Sequence, residues 1–71
     1  MKRSMGEVTG KTRLFLVIGD PVTQVRAPEL LNPLFVQSGM DAVMVPLHVG
    51  QHQMDDLLPA LMKSTNLDGI L

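Results

Sequence analysis

Seventy-one residues, 45% of them hydrophobic, permit one small domain and nothing larger. Six Lys+Arg balance seven Asp+Glu, and the aromatic residues are Phe15 and Phe35 alone, so the chain has neither the basic surface nor the stacking rings that nucleic acid or anionic lipid would need. Without cysteine there is no disulfide or thiolate metal cluster, and a core burying only about 60% of the unfolded surface must hold by packing alone.

Residues 1–13 mix Gly, Ser, Thr and charge without period and are expected to form a flexible lead-in. Lys2 and Arg3 are not followed by a signal-peptide core, because the nearest apolar run has five residues, Leu14, Phe15, Leu16, Val17 and Ile18. That is also far too short to span a bilayer, so a cytoplasmic protein without a membrane partner is expected. The same run lacks alternation and is closed by Gly19-Asp20-Pro21, which suits a strand buried on both faces of a parallel sheet.

Pro28 can open a helix whose apolar stripe is Leu30, Leu31, Leu34 and Phe35, with Gly39 as its left-handed cap. Pro33 should kink it, since it takes away the hydrogen bond to the Glu29 carbonyl. A second strand follows at Ala42-Val43-Met44-Val45, with Pro46 and Leu47 trailing. Met54, Leu57, Leu58, Leu61 and Met62 then recur at helical spacing. Asp55 and Asp56 at its start and Lys63 near its end complement the helix dipole, Pro59 interrupts it, and Asn66 reads as the cap beyond it. Met40, Met44, Met54 and Met62 read as core filler. Leu67-Asp68-Gly69-Ile70-Leu71 begins a third strand, still running at Leu71, from which a fragment of a longer protein is expected. The order βαβαβ predicts an α/β, three-layer unit with a parallel sheet and right-handed crossovers.

Several motifs fail on inspection. Gly6-Glu7-Val8-Thr9-Gly10-Lys11-Thr12 has three residues between its glycines where a phosphate loop has four, and a strand follows it instead of a helix. No Gly-x-Gly-x-x-Gly turn occurs anywhere, so no nicotinamide site of the usual kind is present. His48 and His52 have a spacing that could bracket a metal, but Gly50 lies between them and surface histidines around a turn are the better reading. No Ser–His–Asp or Cys–His set can be assembled. The informative stretch is the first strand-to-helix turn, residues 19–28, because open α/β sheets bind ligands beyond the carboxyl ends of their strands. The following helix N-terminus also favours an anionic group.

This turn and its continuation resemble the N-terminal, substrate-binding domain of the shikimate dehydrogenase family. The family has a Gly-x-Pro turn, His-Ser-x-Ser-Pro, His-Asn in the next helix, a Tyr-x-Pro-like passage in strand two and an x-Gly run in strand three. The matching residues are Gly19-Asp20-Pro21, Pro28, Asn32, Phe35, Gly39, Asp41-Ala42-Val43, Val45-Pro46 and Leu67-Asp68-Gly69. The resemblance makes residues 14–71 a partial substrate-binding domain. It implies a parent oxidoreductase moving a hydride between NADP or NAD and a cyclic hydroxy-acid such as shikimate or quinate, as in aromatic amino acid biosynthesis.

The resemblance places the substrate-binding positions at Gln24, Val25, Arg26 and Ala27. The family's serines, which hold the substrate carboxylate, are Val25 and Ala27 here, and its histidines are Gln24 and Leu31. Each lost charge-assisted bond costs about 1.5–3 kcal/mol unless replaced. A serine at Ala27 would also have capped the helix, worth about 0.5–2 kcal/mol. Arg26 either supplies a carboxylate clamp in their place or faces solvent. The family's Pro-His-Lys segment, its later aspartate and its nicotinamide domain are absent from these residues, so no catalytic, cofactor or metal residue is assigned. Two alternatives from other classes are a non-catalytic binding module and an assembly module, homo-oligomeric or not, that pairs its third strand with another chain.

Overall fold

A computed structural model describes residues 7–71. The chain runs β1 (Arg13–Gly19), α1 (Ala27–Gln37), β2 (Ala42–His48), one turn of 3₁₀ helix (Gln51–Gln53) leading into α2 (Met54–Leu61), and β3 (Leu67–Ile70). The strands are all parallel, in the order β2-β1-β3, so the expected α/β unit with a parallel sheet is the fold found. The two crossovers leave in opposite directions, and right-handed connections then lay α1 and α2 over opposite faces. Part of the expected lead-in, residues 1–6 with the first glycine of the rejected phosphate loop, lies outside the described residues.

β1 takes the centre, and both of its faces are covered. Its neighbours Leu16 and Val17 point to opposite sides, and both are buried. On the α1 face the Phe15 ring stacks on Phe35 of α1, centroids 5.4 Å apart. A Cβ at Gly69 would stand 2.9 Å from the Phe15 ring, so the glycine of β3 is what lets that ring lie across the sheet. Between α1 and β3 an apolar groove of about 340 Å³ remains, lined by Phe15, Leu31, Phe35, Gly69 and Leu71 among others. Among the described residues no helix is long and apolar enough to cross a membrane.

Local rules explain most element ends. At the end of α1, Gly39 has φ +72°, its N–H bonds the Val36 carbonyl (3.1 Å) and that of Met40 bonds Phe35 (2.9 Å), a Schellman closure. The helix starts one residue earlier than Pro28 suggests. Arg26 is the N-cap, without a side-chain cap bond, and Ala27 is already helical, so the missing cap belongs to Arg26 and not Ala27. The assigned helix runs through Pro33, whose missing N–H leaves only the Glu29 carbonyl without its helical donor.

β2 extends past its expected end to include Pro46 and His48, and its place at the sheet edge explains why. Met44 turns its N–H and C=O away from β1, where the Asn32 side chain takes both, at 2.8 and 3.0 Å. By the alternation of the ladder, Pro46 two residues on also faces outward, where a missing donor breaks no pairing.

Two expectations are corrected here, the cap at Asn66 and the core role of the methionines. α2 is eight residues long, and its C-cap is Met62, not Asn66. Asn66 instead reaches the Thr12 carbonyl with its amide (3.4 Å) and accepts the Leu14 N–H (2.8 Å), tying the turn before β3 to β1. Met44 is buried, but Met40 (46% exposed) and Met62 (72%) are not core. Each follows a helix end, where the turn carries it off the apolar stripe.

Candidate functional site

The carboxyl end of the sheet is built from the ends of β1 and β2. Gly19 and His48 are register partners there, and the Val49 N–H bonds the Gly19 carbonyl at 3.1 Å, so the two exits are held side by side. Val49 is buried beneath them. The β1–α1 loop leaves through a cis peptide between Asp20 and Pro21 and turns back on itself with the Val25 N–H on the Val22 carbonyl, 3.1 Å.

The loop brings the four expected substrate-binding positions together. Gln24 is exposed and its amide donates to the Pro21 carbonyl at 3.1 Å, bracing the turn. Val25 and Ala27 are half-buried and offer no side-chain donor. Arg26 is exposed, and its Nε donates to Glu29 Oε2 at 3.0 Å along the first turn of α1. The expected cation is thus at the mouth of the loop, already in contact with a carboxylate.

A further pair was not visible to sequence reasoning. His48 Nε2 lies 2.7 Å from Asp20 Oδ1, joining residues 28 apart in the chain. The signal that would have found it is that each follows or ends a parallel strand, which counts only once β1 and β2 are known to be neighbours. His52 sits in the 3₁₀ turn, and among the described residues no group of three or more His, Cys, Asp or Glu side chains is placed to hold a metal ion.

Chemically, this end offers a guanidinium, an imidazole–carboxylate pair and loop backbone on one exposed rim. Such a set can hold a small polar anion by its charge and its hydroxyls. It holds no activated nucleophile.

Comparison with known proteins gives one consistent answer. The chain is 43% identical over 51 residues to the shikimate dehydrogenase (NADP(+)) of Anaeromyxobacter dehalogenans strain 2CP-1, and 41% identical over the same length to that of Anaeromyxobacter sp. strain K. Each match covers 72% of this chain and 18% of the relative, so the chain spans less than a fifth of the length of the curated relatives it matches. No protein-family profile matches it, and no solved structure does. The similarity to shikimate dehydrogenases read from the residues is the similarity these relatives show.

Proposed function

We propose that this chain is the substrate-binding portion of a shikimate dehydrogenase-like, NAD(P)-dependent oxidoreductase of the cytoplasm, acting on shikimate- or quinate-like cyclic hydroxy-acids. The observation that carries the reading is 43% identity over 51 residues to a relative of that name. The position of the β1–α1 loop at the carboxyl end of the sheet, where α/β folds bind ligands, agrees with it.

With Val25 and Ala27 unable to donate, the substrate carboxylate falls to Arg26. An exposed ion pair three residues apart on a helix is worth only about 0.2–0.5 kcal/mol, so exchanging Glu29 for a substrate carboxylate costs Arg26 little. Gln24 holds the turn in shape, and half-buried Val25 and Ala27 set an apolar wall for the ring. NADP or NAD would be the parent's hydride carrier, but the residues here do not fit a dinucleotide. No Gly-x-Gly-x-x-Gly turn exists, and the β1–α1 connection holds no glycine after Gly19 at the end of β1, so hydride chemistry is not assigned to this chain.

Titration of shikimate into the isotope-labelled chain tests this, with saturable amide shifts expected at residues 20–27. Arg26→Ala should weaken binding by about tenfold or more, the loss of one charge-assisted bond. Unchanged affinity in that variant removes the arginine clamp, and the absence of any saturable shift removes the substrate-binding reading. An assembly module of the same fold is the second reading, favoured by the apolar groove between α1 and β3. Association that grows with concentration is its mark.

A further inference from the structure

We infer that His48, oriented by Asp20, is a ligand-contacting residue that accepts a hydrogen bond from a ring hydroxyl of a polyhydroxylated cyclic acid bound at the carboxyl end of the sheet. The inference rests on the substrate-binding reading above and names a residue outside the β1–α1 loop as part of the same site.

The argument begins with donor and acceptor counts. An ionised Asp20 can only accept, so the 2.7 Å contact makes His48 Nε2 the donor. A neutral imidazole has one N–H, and its Nδ1 is then left as an acceptor with a fixed direction. Among the described residues nothing else is bonded to the ring, and the side chain is 59% exposed. Asp20 is 42% exposed, and its second oxygen is a further acceptor beside the ring. The exposed pair therefore carries two acceptors that a ligand can reach.

The two acceptors face different ways, and each suits a hydroxyl donor and repels a carboxylate. Arg26 has the opposite character, five N–H donors and a fixed positive charge. The two groups sort a hydroxy-acid by its ends, the carboxylate toward Arg26 and the hydroxyls toward His48 and Asp20. His48 is also the better placed of the two for precision. It ends a strand paired residue by residue with β1, whereas Arg26 closes a loop.

As a mere staple the pair would be of little use, since contacts between side chains this exposed contribute about 0–1 kcal/mol. The Val49–Gly19 bond already fastens the same two strand exits.

The test observes the imidazole nitrogens of His48 in the labelled full chain. Shikimate and cyclohexene carboxylate, the same ring without hydroxyls, are titrated separately. Shikimate is expected to move the Nδ1 resonance, and cyclohexene carboxylate to leave it in place. His48→Phe should bind shikimate about tenfold more weakly than the native chain while binding cyclohexene carboxylate equally well. Asp20→Asn is the second variant. An amide can accept from or donate to Nε2, so the ring nitrogens should report a mixture of tautomers, with shikimate affinity reduced and the melting curve unchanged. Shikimate shifts at residues 20–27 with Nδ1 unmoved and His48→Phe affinity native would overturn this inference and leave the substrate-binding reading intact. Failure of both acids to bind the native chain overturns both.

Discussion

The two ends of the sheet use their polar side chains differently. At the amino end, Thr12 is almost fully buried. Its hydroxyl accepts the Thr9 N–H at 3.0 Å and donates to the Asp41 carboxylate at 2.8 Å. Arg13 forks onto Asp68 and reaches the Thr65 carbonyl at 2.7 Å. These bonds cross from the start of β1 to Asp41 just before β2 and to Thr65 and Asp68 at the start of β3, so they fasten all three strands. At the carboxyl end, Gln24 bonds within its own turn, Arg26 within its own helix, and the Asp20–His48 pair lies open. Thr12 makes its bonds out of solvent and holds the fold, and the Arg13 fork, though exposed, adds several bonds between strands, whereas the polar groups of the carboxyl rim can still change partners for a ligand.

The largest test of this contrast is Thr12→Val. Methyl for hydroxyl keeps the volume but leaves the Thr9 N–H and the Asp41 carboxylate each short of a partner, a loss of about 1–3 kcal/mol. In a domain of this size each kcal/mol lowers the melting temperature by about 4–8 °C, readily seen by circular dichroism. A melting curve that does not move would mean the amino end is not the fastened one.

Acid provides the next. The Asp68 carboxyl is held below the ordinary carboxylate range, first by the hydrogen bonds from Arg13 and then by its charge, against some desolvation. A carboxylate with a lowered folded pKa stabilises fully above its unfolded value near 3.9 and loses that stabilisation as pH falls through the folded value. Between about pH 5 and 2 the native chain should therefore lose melting temperature faster than Asp68→Asn, with the two converging at the acid end. Parallel curves would show that the Arg13 fork contributes nothing to the fold.

The smallest expected effect is at the other end. His48→Ala should change stability by less than about 0.5 kcal/mol, because an exposed pair contributes little. A loss as large as that of Thr12→Val would make His48 a structural residue and erase the contrast.

How much of this was legible depended on distance along the chain. The apolar run of β1, the stripe of α1, the Gly39 cap and the start of β3 were all readable, because each follows from neighbours within a few residues. The loop at residues 19–28 is expected to face a ligand because it leaves the carboxyl end of a parallel strand, and the structure shows only that it stands at that end. The Arg26–Glu29 pair lies within reach of helical spacing, whereas the sequence reading offers Arg26 only a clamp or a solvated role. Asn32 matched the family pattern with no physical role attached. Its role, taking both backbone groups of Met44 at the sheet edge, needed α1 to be laid over β2.

Local composition by itself determined that this chain forms alternating strands and helices, because burial on both faces, helical periodicity and a left-handed glycine are short-range properties of the backbone and its neighbours. The order β2-β1-β3 was decided only in three dimensions, and with it the bulge that skips Asp68 between Leu14–Leu67 and Phe15–Gly69. The same folding decided that Asp20 meets His48 across 28 residues and Arg13 meets Asp68 across 55. Those contacts depend on register between strands far apart in the chain, and register is a property of the packed sheet as a whole.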